Sequence, residues 1–147
     1  MEYTVCDVTA AHIPQIEALE RQCFSMPWTA ELLQSQMKGS QHEFIAAVST
    51  EGNVLGYVGM MYVLDEGYIS NVAVSPEHRR KGIADALIDR LCEICGTLGL
   101  SFVNLEVRAG NVPAIALYEK HNFHRVGLRK NYYERPKEDA LLMTKFF

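Results

Sequence analysis

The sequence predicts an α/β protein of the α+β kind, in which about four helices flank a mixed, mostly antiparallel sheet of about seven strands. Short apolar segments bounded by turn residues alternate with stretches of helical apolar spacing, in the order β-α-α-β-β-β-α-β-α-β-β. One helical stretch lies between two buried strands, which indicates a right-handed βαβ crossover. We therefore expect one parallel strand pair and helices on both faces of the sheet.

The N-terminal segment predicts one strand followed by two helices. Residues 4–8 form the strand, and Thr9 can cap the helix that follows. A Pro-Trp pair at residues 27–28 interrupts the helical spacing. Thr29 can cap a second, short helix, which Gly39 should stop because glycine readily adopts the left-handed conformation. The apolar residues that define the two helices are Ile13, Ile16, Leu19, Phe24, Leu32, Leu33 and Met37.

The middle of the chain predicts an antiparallel run of three strands. A Glu-Gly-Asn turn at residues 51–53 separates the first two of them, as in a hairpin. A helix, the fifth strand, a second helix and two final strands follow. The predicted strands span residues 44–48, 54–64, 66–74, 101–107, 123–133 and 140–147, and the predicted helices span residues 82–98 and 112–121. Asn122 follows the last helix and tolerates a left-handed backbone.

Length and charge set limits on the function. A chain of 147 residues, 48% of them hydrophobic, fits one domain with a sizeable core. The net charge of −4 argues against broad binding to nucleic acid or to anionic membranes, which needs an excess of Lys and Arg. No basic and then apolar leader is visible near Glu2 and Asp7, and no apolar run approaches the roughly 20 residues of a membrane span. We expect a cytoplasmic protein.

The cysteines predict reduced thiols rather than a metal site. Cys92 and Cys95 have C-x-x-C spacing, but they fall inside a helical pattern, and no second ligand pair is visible. The five histidines show no ligand spacing either. We expect free, buried or half-buried thiols and no bound metal.

A junction between a strand and a helix is the most informative stretch. The apolar run at residues 72–74 is followed by Ser-Pro and then, at residues 79–84, by Arg-Arg-Lys-Gly-Ile-Ala. The first N–H groups of a helix lack partners inside the helix, and the helix dipole adds positive charge there. Three cations at that end are unfavourable without an anion, so the pattern predicts a diphosphate site on the uncrowded backbone at Gly82 and Ala84.

This loop resembles the coenzyme A pyrophosphate loop of the GNAT superfamily of N-acetyltransferases, usually written Q/R-x-x-G-x-G/A. Arg79, Gly82 and Ala84 match it in order. The resemblance implies a single acetyltransferase domain over residues 1–147 and acetyl-CoA as cosubstrate. It also implies that the preceding strand splays from its neighbour and holds the pantetheine arm through its backbone. The implied cofactor-binding residues are Val72, Ala73, Val74, Arg79, Arg80, Lys81, Gly82, Ile83, Ala84, Asn111 and Tyr118.

Two polar residues downstream suit acetyl transfer to an amine. Glu106 points to the face opposite its apolar neighbours, and a carboxylate near the end of a buried strand is costly without a task or a partner. It could take the proton of an ammonium group, or it could pair with Arg108 or face water. Tyr118 could protonate the leaving thiolate, or it could be a core residue with its hydroxyl at the edge.

The resemblance extends over essentially the whole chain to the RimI family within that superfamily. The motifs that carry it are Leu-Glu-Val-Arg-Ala at residues 105–109, Asn111-x-x-Ala-x-x-Leu-Tyr118, Arg-Lys-Asn-Tyr-Tyr at residues 129–133, Glu-Asp-Ala at residues 138–140, and the early Pro-Trp pair. RimI enzymes acetylate the N-terminal alanine of a small-subunit ribosomal protein. The resemblance implies Glu106 as general base, Tyr118 as general acid and Asn111 as an acetyl-CoA contact. Trp28 and Tyr132 become tentative substrate contacts, although both could simply pack.

The chain departs from the RimI pattern at Gly110, His121 and Asn122, and Gly110 could loosen the turn that holds Asn111. Two other functions stay open. One is acetylation of a small amine, which substrate screening would separate from peptide acetylation. The other is a non-catalytic acetyl-CoA-binding module, in which Glu106 and Tyr118 would be dispensable. The sequence leaves the oligomeric state open.

Overall fold

The computed structural model describes residues 2–147 and contains the predicted elements in the predicted order. The strands are β1 (Tyr3–Asp7), β2 (His42–Ser49), β3 (Val54–Val63), β4 (Glu66–Val74), β5 (Phe102–Arg108), β6 (His124–Tyr133) and β7 (Glu138–Phe146). The helices are α1 (Ile13–Cys23), α2 (Ala30–Gln36), α3 (Ile83–Leu98) and α4 (Val112–Lys120). Most boundaries lie within two residues of the predicted ones. Two short 3-10 turns, Ala10–His12 and Pro76–His78, were not predicted from apolar spacing.

The seven strands form one mixed sheet in the order β1-β2-β3-β4-β5-β7-β6. β4 and β5 pair in parallel across α3, as the predicted crossover requires, and the other neighbouring strands pair antiparallel. The predicted fold class is therefore confirmed. No helix within residues 2–147 is both long and apolar enough to cross a membrane.

Helices cover both faces of the sheet, each over its own apolar core. The larger core joins α3 and α4 to the sheet through residues such as Leu87, Leu91 and Leu105. The smaller core joins α1 and α2 to the opposite face through residues such as Ile16 and Phe44. Burial of these side chains is the main favourable term in folding, and it fixes the positions of the helix ends near the middle of the sheet.

β4 and β5 diverge halfway along their length. Their parallel pairing runs only from Glu66 with Phe102 to Tyr68 with Asn104, whereas β4 continues to Val74 and β5 to Arg108. Beyond Tyr68 one edge of β4 is no longer paired with β5. The predicted splaying of this strand is thus a feature of the fold.

A β-bulge at Ser70 changes which side chains of β4 share a face. Gly59 pairs with Asn71 and Met60 pairs with Ile69, so Ser70 is an extra residue opposite that step of β3. A bulge reverses the alternation of side chains along a strand. Asn71 therefore lies on the same face as Tyr68, three residues earlier, and this face is the one that α1 covers.

Candidate active site

The N-terminus of α3 is open to an anion. Its N-cap residue, Gly82, has φ +80, and a Cβ added there would meet no atom within 4 Å. No side chain within residues 2–147 caps this end, whereas Thr29 caps α2 and Asn111 caps α4 through side-chain oxygens. The first N–H groups of α3 are therefore free of side-chain partners, which is the arrangement that a diphosphate requires.

The three basic residues before Gly82 differ in their contacts. Arg79 turns back onto the protein, where Nε donates to the Val74 carbonyl oxygen at 3.2 Å and a guanidinium nitrogen donates to Cys23 Sγ at 3.5 Å. Arg80 and Lys81 are exposed, and Arg80 has φ +63. Arg79 therefore ties the loop to the end of β4, and Arg80 and Lys81 supply the accessible positive charge.

Glu106 lies in β5 on the face opposite the α3 core, because its neighbours Leu105 and Val107 belong to that core. Its Oε1 accepts a hydrogen bond from the Tyr68 hydroxyl at 3.2 Å. Its Oε2 is shielded from solvent and has no hydrogen-bond partner among the residues that the structure describes. A buried carboxylate oxygen without a donor is costly, so this atom is poised to accept a proton or an N–H group from a ligand.

The sequence suggested Arg108 as an ion-pair partner for Glu106, but Arg108 contacts other residues. Its guanidinium contacts Glu138 Oε1 at 3.3 Å and the carbonyl oxygens of Pro136 and Glu134 at 2.9 and 3.0 Å. It also lies 4.5 Å from the centre of the Tyr133 ring. Arg108 therefore holds the β6–β7 connection in place and does not pair with Glu106.

Three tyrosines surround the Glu106 carboxylate. Burial and then the nearby negative charge of Glu106 raise the pKa of Tyr68 above its usual range and the pKa of Tyr133 to about 12. Burial and the nearby Glu106 carboxylate also raise the pKa of Tyr132. All three hydroxyls are therefore protonated at neutral pH and can serve as hydrogen-bond donors.

A cleft of about 260 Å³ opens beside this carboxylate. Its lining includes Tyr68, Asn104 and Glu106 of β4 and β5, and Val126, Arg129 and Thr144 of β6 and β7. The Thr144 hydroxyl donates to Asn104 Oδ1 at 2.6 Å. The cleft gives a ligand access to Glu106 from the face of the sheet that α3 and α4 do not cover.

Tyr118 lies in α4, with its ring in the larger core and 7% of the residue exposed. The ring packs against Phe123, with 5.8 Å between the ring centres. Burial, with a smaller contribution from Tyr133, raises the pKa of Tyr118 above its usual range. The charge of Glu106 contributes in turn to the raised pKa of Tyr133.

The other predicted site residues have identifiable structural roles. Trp28 is half-buried against the smaller core. Asn111 Oδ1 accepts from the Ala114 N–H at 3.3 Å and so caps α4. Tyr132 is exposed, and its ring meets that of Tyr133 edge-on at 5.1 Å. The structure leaves room for ligand contacts at Trp28 and Tyr132 without assigning any.

The departures from the RimI pattern fit their surroundings. The Gly110 N–H donates to Glu138 Oε2 at 2.6 Å, and a Cβ at Gly110 would come within 2.7 Å of that oxygen. The turn before Asn111 is therefore held, not loosened. His121 places its ring nitrogens 2.8 and 3.1 Å from Asp85 and Asp89 and so joins α4 to α3. Asn122 has φ +69, as predicted.

Sequence reasoning missed a second carboxylate, Glu20 of α1. It is only 1% exposed, and it accepts hydrogen bonds from the Trp28 N–H at 2.9 Å, the Tyr57 hydroxyl at 2.7 Å and Asn71 Nδ2 at 3.4 Å. Its place in the apolar stripe of α1, one residue after Leu19, was the only available signal. The donors come from three other parts of the chain, which no local pattern connects.

The cysteines are free, with Cys95 buried and Cys92 half-buried, as predicted. Burial raises the pKa of the Cys95 thiol to about 12. This thiol is therefore protonated and unreactive at neutral pH.

Comparisons with known proteins agree with this geometry. Residues 13–123 match the acetyltransferase (GNAT) family. Over 132 residues the chain is 33% identical to a Bacillus subtilis (strain 168) protein named as a candidate [ribosomal protein bS18]-alanine N-acetyltransferase, with 90% of this chain and 85% of the relative covered. It is 30% identical over 143 residues to the [ribosomal protein bS18]-alanine N-acetyltransferase of Escherichia coli (strain K12), with 96% and 95% covered.

A solved structure of such an enzyme has the same fold. The crystal structure of the ribosomal-protein-S18-alanine N-acetyltransferase from Escherichia coli superimposes with a TM-score of 0.92 at 29% identity, covering 99% of this chain and 94% of that one. The fold, the family match and the identity over nearly the full length all agree. The chain belongs to the GNAT family of acetyltransferases, among the N-acetyltransferases of the RimI type.

Proposed function

We propose that this chain transfers an acetyl group from acetyl-CoA to the N-terminal α-amine of a small-subunit ribosomal protein that begins with alanine. The observation that carries the proposal is the unpartnered, shielded Oε2 of Glu106 beside an open cleft. The substrate follows from the relatives, two of which are named for alanine N-acetylation of ribosomal protein bS18. We further propose that the reaction occurs in the cytoplasm, within a single domain, and without contact to nucleic acid or membrane.

The residues present suit coenzyme A. The uncapped N-terminus of α3 at Gly82, with Arg80 and Lys81 beside it, would hold the diphosphate. The edge of β4 that has separated from β5 would hold the pantetheine arm through backbone groups of Val72 and Ala73. When bound, acetyl-CoA supplies an acetyl thioester. The remaining proposed contacts on this side are Val74, Arg79, Ile83, Ala84, Asn111 and Tyr118.

Two residues of the protein would handle the protons of the reaction. An α-amine has a pKa of about 8, so much of it is protonated at neutral pH and cannot attack a carbonyl carbon. Glu106 Oε2 takes one proton from the amine, directly or through a water molecule, which frees the nitrogen lone pair to form the amide bond. Tyr118 keeps its proton at neutral pH and would donate it to the sulfur as the carbon–sulfur bond breaks. The Tyr118 oxygen would then take the second proton that the nitrogen loses as the amide forms, which restores the hydroxyl.

A substrate screen tests the proposal. Purified protein is incubated with acetyl-CoA and a short peptide beginning with alanine, and the product is located by mass spectrometry. We expect one acetyl group on the α-amine. The matched control is the same peptide with its α-amine blocked and its lysine side chains free, which should remain unmodified.

The screen also includes small amines such as polyamines. Acetylation of these in preference to the peptide would contradict the proposed substrate but not the chemistry. Failure to acetylate any amine, while acetyl-CoA binds, would instead indicate a non-catalytic binding module.

A further inference from the structure

Asn71 has a buried oxygen atom without a partner. It lies on β4 beyond Tyr68, where the parallel pairing with β5 ends, and only 8% of the residue is exposed. Its Oδ1 is shielded from solvent and makes no hydrogen bond to any residue that the structure describes. A buried carbonyl oxygen in this state indicates a missing donor.

Glu20 fixes the orientation of the Asn71 amide. Both oxygens of Glu20 already act as acceptors, so the group facing it must be the amide nitrogen, which lies 3.4 Å from Oε2. Flipping the amide would place two acceptors against each other. The Tyr57 hydroxyl and the Trp28 N–H hold the same carboxylate at 2.7 and 2.9 Å. Oδ1 is therefore turned away from Glu20 and stays without a protein partner.

The strand register places Asn71 across the gap from Glu106. Tyr68 pairs with Asn104, and Glu106 follows two residues later on β5. On β4 the bulge at Ser70 brings Asn71, not Ser70, onto the face that Tyr68 and Glu106 share. Two unpartnered, shielded acceptor oxygens, Asn71 Oδ1 and Glu106 Oε2, thus flank the place where the strands part.

We infer that Asn71 Oδ1 accepts an N–H group of the acceptor amine and, together with Glu106, orients its nitrogen for attack. An ammonium group carries several N–H donors, so one can go to each oxygen, and this inference rests on the proposed function. The amide oxygen is too weakly basic to take the proton, which therefore goes to Glu106. Asn71 is a substrate-positioning residue, and Glu20 fixes the orientation of its side-chain amide.

Binding to paired ligands tests this role. The affinity of the complex with CoA is measured by calorimetry for an alanine-starting peptide and for the same peptide without its α-amino group. The dissociation constant of the peptide without the amino group, divided by that of the alanine-starting peptide, isolates the contribution of the amine. In Asn71→Ala we expect this ratio to fall by about tenfold, the value of one charged hydrogen bond, while the affinity for CoA stays unchanged.

Two further variants keep the test decisive. Ser70→Ala removes a neighbouring hydroxyl, whose bond goes to the Gly59 carbonyl oxygen, and should leave the ratio as in the wild type. Glu20→Gln keeps the shape of the side chain but adds a donor that can occupy Asn71 Oδ1. It should lower the ratio, although residue 20 never touches the ligand, and it replaces Asn71→Ala if that variant does not fold.

A ratio unchanged in both Asn71→Ala and Glu20→Gln would overturn the inference. So would equal losses for both peptides, because a merely structural role weakens them alike. If the wild type prefers a small amine to the peptide, the proposed substrate fails. The same comparison is then made with that amine and its analogue without the amino group.

Discussion

Glu20 and Glu106 are two carboxylates on the same face of the sheet, and their surroundings differ sharply. Glu20 is fully buried and accepts three hydrogen bonds, from Trp28, Tyr57 and Asn71. Glu106 is half-buried and accepts one at Oε1 from Tyr68, while its Oε2 has no partner among residues 2–147. The two carboxylates therefore differ in burial and also in whether the protein supplies a donor to both oxygens.

The difference lies in which atoms are left for a ligand. At Glu20 the protein supplies donors to both oxygens, so the charge is stabilised before any substrate arrives, and the side chain can act as an anchor. At Glu106, which lines a cleft, the protein supplies a donor to one oxygen and none of the described residues donates to the other. A group that has to gain and lose a proton needs such an atom. Variants of the two residues should therefore fail in different ways.

The largest effect is expected for Glu20→Ala. Removing the carboxylate leaves three buried donors without an acceptor, which should lower the free energy of unfolding by about 3 kcal/mol. Denaturant titration measures the loss. Glu17→Ala is the matched control on α1, since this partly exposed carboxylate accepts from the Ala30 N–H and pairs with Arg21, and it should cost much less. Equal costs would remove the distinction between the two carboxylate environments.

Glu106→Gln should show the reverse pattern. Turnover at neutral pH should fall by about 100-fold, the usual value of a general base, while the affinity for CoA and the midpoint of thermal unfolding stay close to wild type. Steady-state kinetics and calorimetry measure these quantities. Glu119→Gln, which removes an exposed carboxylate paired with Arg125, is the control and should retain full turnover. A large loss of stability in Glu106→Gln would show that Glu106, like Glu20, has a structural role.

Tyr118→Phe should have the smallest effect, a loss of about tenfold in turnover, because a thiolate is a tolerable leaving group without a proton donor. Burial raises the pKa of Tyr118 above its usual range. Its hydroxyl therefore stays protonated even when the pH exceeds the pKa of a free tyrosine. Wild-type turnover should therefore not decline between pH 8 and about 9.5 through this group. A decline there that Tyr118→Phe abolishes would show that the tyrosine ionises much earlier.

Local chemistry made most of the fold predictable. Alternating and helical apolar spacing gave the strands and helices, and turn and cap residues such as Thr29 and Asn122 gave their ends. The junction at Gly82 was predictable because a glycine, a helix start and three cations are adjacent in sequence. Each of these features depends on residues within one or two turns of one another, which is the range over which a single sequence is informative.

The acceptor side of the site was less predictable because its parts are distant in sequence. Glu106 was identified from its position in a buried strand, but its donor, Tyr68, lies 38 residues earlier. Asn71 lies on the same face of the sheet as Tyr68 and Glu106 only because Ser70 forms a bulge. No turn residue in the sequence predicts that bulge. Glu20 meets Asn71 across 51 residues of chain. Such contacts follow from strand register and helix packing, not from local pattern.

The pH dependence of Glu106→Gln tests the central claim most directly. If Oε2 of Glu106 removes a proton from the amine, this residue should matter less at high pH. Above the α-amine pKa of about 8, most of the amine is already deprotonated in solution. Turnover of an alanine-starting peptide by wild type and variant is compared from pH 6 to pH 9. We expect the roughly 100-fold deficit of the variant to shrink steadily over this range. A deficit that stays constant with pH would contradict it.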